Sequence, residues 1–400
     1  MKKRDLLTLF AALFILITLL TIRETNNDQI NQGLAFEELR SLSYLAYTRE
    51  KADETKRGIV KYDPELTFEG YNLYYYSLMD MEGNIVHSWS QSAALSVILE
   101  NGDILIQAPN NTLIGKYSWD SNVIWEKNLI SHHDITLTSN NTILIPSREM
   151  HEYNGRKVEF DLIIELSQDG EEISRWSTYE NFDHIKKFHE PSELDKPAHV
   201  YIPAEKELIN TSLIVGGDYD YYHLNSIQVL PETPIGKKDT RFQAGNWLLS
   251  LCYVNLIVIL DKETKEIVWS WGPGELESQH SPIMLDNGNI LVYDNGPNRR
   301  EYTRIIELDP IRKEIVWEYK TNPPELFFSE SLGYAQRLPN GNTLITDSDH
   351  GRVFEITKEG EIVWEWFNPG VDEEGKRGVI YRMVRYSKDE INKLLELNKK

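Results

Sequence analysis

Three histidines open corresponding segments of a chain that repeats itself: His133 in His132-His133-Asp134-Ile135, His223 in His223-Leu224-Asn225-Ser226-Ile227, and His280 in Gln279-His280-Ser281-Pro282. Imidazole changes charge near neutral pH, so rings that converge could bind a metal, hold an oxyanion, or share the roles of nucleophile and acid/base. A single histidine at the start of a strand is ordinarily a hydrogen-bonded structural residue. Three at one point of a repeat are a different matter. Zinc would suit three imidazoles, but no spacing here matches a dedicated zinc motif. Rings on separate repeats also stand wider apart than metal–nitrogen bonds of roughly 2.0 to 2.1 Å accept. A metal is not expected.

The elements that must bring these rings together are read from the repeat. One tryptophan marks each unit, at Trp89, Trp125, Trp176, Trp269, Trp317 and Trp364, and most close a short β-branched run such as Ile267-Val268-Trp269. Turns such as Asp169-Gly170 and Glu359-Gly360 precede several of these runs. A second hairpin upstream turns at Asn101-Gly102, Asn140-Asn141, Gly245-Asn246, Asn287-Gly288 or Asn340-Gly341. Two hairpins make a four-stranded blade. Five units are complete, whereas the unit ending at Trp89 shows only its second hairpin. The alternating stretch 379–386, beyond the last unit, is expected to supply the missing strand pairing and close the ring, which removes sheet edges that invite aggregation. The reading is an all-β, six-bladed β-propeller over 58–387. An insertion at 177–222, with Pro191, Pro197 and Pro203, breaks the period and is expected to form a lid or rim. Innermost strands line a propeller's channel, so His133, His223 and His280 converge on its axis. The tryptophans are read as packing between neighbouring sheets.

Composition bounds the partners. Against 42 basic residues stand 63 acidic ones, a formal charge of −21 that repels nucleic acid and anionic lipid surfaces alike. The only cysteine, Cys252, allows no internal disulfide. Lys2, Lys3 and Arg4 precede an apolar run at 6–22, whose 17 residues lie at the short end of a membrane span. No small-x-small cleavage site follows. Residues 1–24 therefore read as an uncleaved membrane helix with a cytoplasmic tip, and the propeller as lying on the extracytoplasmic side of the cell membrane. Glycosylation-type triplets at Asn110, Asn140 and Asn210 agree with export. Residues 25–57 read as a short helical stalk or linker, and 388–400 as a helical tail.

The resemblance to a known family runs through most of the chain after residue 57. It begins at Gly58-Ile59-Val60-Lys61-Tyr62-Asp63-Pro64 and Gly70-Tyr71-Asn72-Leu73-Tyr74, and continues through Met81-Glu82-Gly83-Asn84-Ile85-Val86-His87-Ser88-Trp89. It includes His133-Asp134, His223-Leu224-Asn225-Ser226-Ile227, Gln279-His280, Tyr293-Asp294-Asn295-Gly296 and Tyr302-Thr303-Arg304-Ile305-Ile306-Glu307-Leu308. In these segments the chain resembles the arylsulfate sulfotransferases, propeller enzymes that move a sulfuryl group between phenols without a nucleotide sulfate donor. The resemblance implies that His280 is transiently sulfurylated, that His133 and His223 hold the sulfuryl oxygens, and that aryl sulfates and phenols are the partners. It also implies that no cofactor is needed. A neutral imidazole is nucleophilic and becomes a good leaving group once sulfurylated, and protonated neighbours would stabilise developing charge.

In one respect the chain departs from the family, which has an arginine where Cys252 follows Ser250-Leu251. A fixed group at developing charge is worth on the order of 100- to 1,000-fold in rate. Arg241, Arg299, Arg300 and Arg304 are the candidates to supply the cation from another direction, although such residues are ordinarily rim charges. Cys252 itself reads as a small buried residue. Two classes of function stay open: a sulfuryl transferase, or an exported binding or scaffold propeller that kept the histidines and lost turnover. Pyrroloquinoline-quinone propellers share tryptophan-rich repeats, but usually form a larger ring, and no cofactor-binding cluster is visible.

Overall fold

The computed structural model describes residues 47–195 and 219–399. Within them lie six antiparallel sheets, the blades of a propeller, each with four strands of the repeat. Blade 2 runs Leu95–Ile98, Ile104–Gln107, Leu113–Tyr117 and Val123–Asn128 from the axis outward. Blades 3 to 6 follow the same order, with innermost strands Thr136–Leu137, Leu224–Val229, His280–Met284 and Tyr334–Arg337.

Blade 1 is built from both ends of the chain. Gly70–Tyr74, Ser77–Met79 and Ile85–Ser88 form its outer three strands, and Met383–Ser387 arrives from beyond blade 6 to pair Tyr386 with Tyr71. The ring therefore closes through the expected segment, but with one strand: the first unit carries three strands of its own, not a lone hairpin. Its extra turn was hidden because it runs through Tyr75-Tyr76, with Tyr75 at φ 51°, instead of the Gly or Asn that usually marks such a bend. A second overlap of the termini reinforces the seam, since Gly58–Tyr62 adds to the outer edge of blade 6 against Ile362–Phe367. Between these blades Arg385 is fully buried. It pairs with Glu355, donates to Asn72 Oδ1 at 2.8 Å and lies 4.6 Å from the Trp364 ring centre.

The tryptophans join blades as well as fill space. Trp125 donates its indole N–H to Gln168 O at 2.8 Å, Trp269 to Pro310 O at 2.9 Å, Trp317 to Lys358 O at 3.0 Å and Trp364 to Met81 O at 3.1 Å. Each acceptor lies at or beside the outer turn of the next blade, so these four indoles tie successive blades, whereas the indole N–H groups of Trp89 and Trp176 are buried without such a partner. A buried indole needs such a partner to avoid the cost of an unmade hydrogen bond.

Blade 3 extends further than the others, through Ile143–Tyr153 and Arg156–Leu166, which turn at Asn154-Gly155. The described parts of the 177–222 insertion pack Phe182, Ile185, Phe188 and Leu194 onto Phe160, Tyr221 and Tyr222. The insertion returns as Tyr219–Asp220, parallel to Arg156–Leu166. A helix, Lys388–Leu397, starts at a capping box of Ser387 and Glu390 and buries Ile391 and Leu394 among Leu73, Trp89 and Ile98. Of the stretch read as a helical stalk, Tyr47–Lys51 is instead a strand, paired with Lys376–Gly378. Its alternating Tyr47, Arg49 and Lys51 find a partner edge, which local helix propensity does not report. The apolar run 6–22, expected as an anchor, lies outside the described residues. Among the described residues, no helix is long and apolar enough to cross a membrane.

Candidate active site

One end of the channel is built from whatever precedes each innermost strand. His133 lies just ahead of Thr136–Leu137, His223 abuts Leu224–Val229, and His280 begins His280–Met284. His133 and His223 have φ of 63° and 54°, a left-handed backbone that residues other than glycine rarely adopt and that recurs where function over-determines conformation. The chain turns sharply at these two points, and both rings meet over the axis.

The three rings do converge. His133 is the hub, with its ring centre 4.6 Å from that of His223 and 6.2 Å from that of His280. His280 is buried, and its Nδ1 lies 2.8 Å from Asn295 Oδ1 and 3.2 Å from Ser278 O. Its Nε2 has no protein partner. His223 Nδ1 lies 2.6 Å from Asp220 Oδ2, and the ring stacks on Tyr253 at 4.5 Å and 10°. Asp220 is thus the insertion's contribution to the site. His132, one residue from the hub, is a fourth imidazole beside the trio, its ring centre 5.0 Å from that of His133 and 6.0 Å from that of His223, with Nε2 against Ser147 O at 3.2 Å and Asp161 at 3.5 Å.

In front of His280 and His133 lies a small cleft, lined also by Asn225, Tyr381 and Arg382. Asn225 Nδ2 donates to Gln279 O at 2.8 Å, while its Oδ1 is buried without a partner. Gln279 in turn bridges to Ser250, Leu251 and Leu256, which fixes the backbone beside His280 to blade 4. Burial holds the His280 imidazole down to about 4, and holds His133 well below the usual range. Both rings are therefore neutral at ordinary pH. The expected positive charge on His133 is absent, because desolvation and the neighbouring His223 both oppose protonation.

A different arginine borders the cleft. Arg382 lines the cleft, donates to Asp134 Oδ1 at 2.9 Å and lies 4.5 Å from the Tyr334 ring centre. It is the only charged residue lining this cleft among the described residues. With Tyr381, whose hydroxyl is hydrogen-bonded to His133 Nδ1, it precedes Met383–Ser387, so blade 1 uses the same repeat position as the histidine blades. Laying 379–386 over the other innermost strands would have exposed this correspondence in the sequence.

The four expected arginines do not reach the cleft. Arg241 is exposed and paired with Asp239 at 2.7 Å. Arg299 is 3.5 Å from Glu277, while Arg300 and Arg304 flank the buried Asp294 at 2.9 and 2.8 Å. Cys252 is buried at the start of the 3-10 turn Cys252–Val254, where desolvation pushes its thiol up. No group of three or more His, Cys, Asp or Glu residues is arranged to hold a metal ion among the described residues.

A channel end with imidazoles from three blades and a guanidinium from a fourth defines a propeller equipped to handle an anionic group. The family model "Arylsulfotransferase (ASST)" matches residues 94–369, and the chain belongs to that family. Aryl sulfotransferase-like function follows from that membership. Comparison with curated proteins gives no match. Among solved structures, a protein of unknown function from Bacteroides caccae is 15% identical, covering 79% of this chain and 98% of that one, with a TM-score of 0.48. A streptogramin B lyase is 13% identical, with coverage of 85% and 97% and a TM-score of 0.42. A catalytically inactive virginiamycin B lyase from Staphylococcus aureus, with quinupristin, is 12% identical, with coverage of 69% and 70% and a TM-score of 0.38.

Proposed function

We propose that the protein transfers a sulfuryl group from an aryl sulfate to a phenol by way of a sulfurylated His280. The observation that carries this reading is the state of that ring: buried, neutral at ordinary pH, and unpartnered at Nε2 in a cleft lined by a guanidinium. The Nε2 lone pair attacks sulfur, the bond from sulfur to the aryl oxygen breaks, and the phenolate departs with a proton supplied by His223. Asp220 holds the other nitrogen of that ring and fixes its orientation. An acceptor phenol then attacks sulfur, gives its proton back to His223, and the N–S bond breaks to return neutral His280. Protons and sulfuryl group balance over the two halves, so no cofactor enters. Arg382 attracts the sulfuryl oxygens throughout, and His133, oriented by Tyr381, offers a neutral hydrogen bond to them.

Initial rates of phenol release test the scheme. A series of nitrophenyl sulfate and phenol concentrations should give parallel double-reciprocal lines, as a two-step exchange through a covalent intermediate requires. His280→Ala should abolish release. Retained turnover in that variant would move the nucleophile elsewhere, and no release from any donor in the natural protein would favour a propeller that only binds.

A further inference from the structure

The Asp294-Asn295-Gly296 triplet has no place in the steps above, yet its middle residue touches the proposed nucleophile. We propose that Asn295 is a positioning residue that fixes the proton of His280 on Nδ1 and so keeps the lone pair on Nε2, the nitrogen left without a protein partner.

The orientation of the Asn295 amide is settled by its other neighbours. Its Nδ2 donates to two carbonyls, Ser329 O at 2.7 Å and Leu332 O at 2.9 Å. Carbonyl oxygens only accept, so the NH₂ group must face them and Oδ1 must face His280, at 2.8 Å. The second neighbour of His280 Nδ1, Ser278 O, is likewise only an acceptor. Two acceptors at one ring nitrogen require that nitrogen to carry hydrogen. A neutral imidazole has one N–H, so Nε2 has none.

The rest of the triplet holds this amide still. Asn295 is fully buried, and Thr303 Oγ1 donates to its carbonyl at 3.1 Å. Asp294 Oδ1 accepts from Glu277 N at 2.8 Å and meets Arg300 at 2.9 Å, while Oδ2 accepts from Arg304 Nε at 2.8 Å. Gly296 has φ 77°, and a Cβ there would stand 2.4 Å from Tyr302 O, so only glycine fits. Arg300 and Arg304 thus act two residues removed from the ring, through the loop that carries Asn295.

The tautomer claim stands on hydrogen bonds alone, whereas its catalytic meaning rests on His280 being the nucleophile. Nitrogen-15 NMR of the full chain with labelled histidine, assigned by loss of the signal in His280→Gln, separates the two. In the natural protein, His280 should show a protonated Nδ1 and a bare Nε2. A proton on Nε2 overturns the proposal whether or not phenol is released, while the expected tautomer in a protein that releases no phenol would sink the transfer reading and leave this one standing.

Two variants extend the test. Asn295→Ala should mix the tautomers and slow phenol release roughly 10- to 100-fold, the size of effect found for partners that orient an imidazole, with KM little changed. An unaltered tautomer there would overturn the role of Asn295. Asn295→Asp sets a carboxylate against Nδ1 while His133, His223 and Arg382, the groups facing the ring from the other blades, stay in place. It should move the acid limb of the rate profile upward from about 4 by a unit or more. An acid limb that does not move in a folded Asn295→Asp protein would also count against the proposal.

Discussion

The arginines of blade 5 and Arg382 of the ring-closing segment are opposite uses of one side chain. At blade 5, Arg299, Arg300 and Arg304 meet Glu277 and Asp294, carboxylates that are themselves buried, so the guanidinium charges are spent within the scaffold. Near the axis, Arg382 gives one nitrogen to Asp134, which also accepts from the backbone of Ile135 and Ile227. Among the described residues, no other hydrogen bond ties its guanidinium, and the residue borders a second small cavity beside Tyr75 and Ser96. The difference teaches that proximity in sequence to a motif says little about which cation serves it. What decides is where the fold places the guanidinium: Arg382 borders the cleft, and the blade-5 arginines do not.

Three substitutions would break or sharpen this contrast. Arg382→Gln keeps a donor for Asp134 but removes the charge, and phenol release should fall roughly 100- to 1,000-fold with the protein still folded. A rate within a few-fold of the natural one would assign the cation elsewhere. Arg304→Leu should instead act on the fold, because Asp294 then sits buried with one partner fewer: a loss of about 3 kcal/mol in denaturant unfolding is expected, with turnover per folded molecule largely kept because Arg300 remains. Arg241→Ala removes only an exposed pair with Asp239 and should change stability by less than about 0.5 kcal/mol and turnover not at all. A kinetic defect in Arg241→Ala larger than that of Arg382→Gln would reverse the comparison.

The propeller was legible because its signals are local: tryptophan spacing, Asn-Gly turns and alternating β-branched runs each report on a few residues. The histidine trio was legible for the same reason, since position within a repeat fixes position in the ring. Arg382 was missed because it follows the last tryptophan unit, so its repeat position shows only when 379–386 is laid over the other innermost strands, and its ion pair with Asp134, 248 residues earlier, leaves no local trace. Arg300 and Arg304 were misread because the sequence displays their charge but not that Asp294 is buried between them. The strand at Tyr47–Lys51 was missed because its partner, Lys376–Gly378, is at the other end of the chain. The length of blade 3 was within reach, since Asn154-Gly155 has the residue pair of a tight hairpin turn. Asp220 could not have been tied to His223 by repeat logic, because it arrives on an extra strand that the insertion adds to blade 3 outside the four-strand repeat.

The neutral state of His280 also sets the pH behaviour. Its ordinary value near 6.5 is lowered to about 4 in the fold, so phenol release should be retained down to that region and be lost below it. Because the unfolded chain binds that proton more readily, stability should decline as pH falls from about 6.5 toward 4. The most direct measurement is the covalent one: brief reaction with a nitrophenyl sulfate in the absence of acceptor, alkaline quenching, and peptide mass spectrometry. A sulfuryl adduct on the peptide containing His280, formed with a stoichiometric burst of phenol and discharged on adding acceptor, is the expected result. A burst whose adduct maps to another residue, or turnover with no adduct at all, would contradict the central claim.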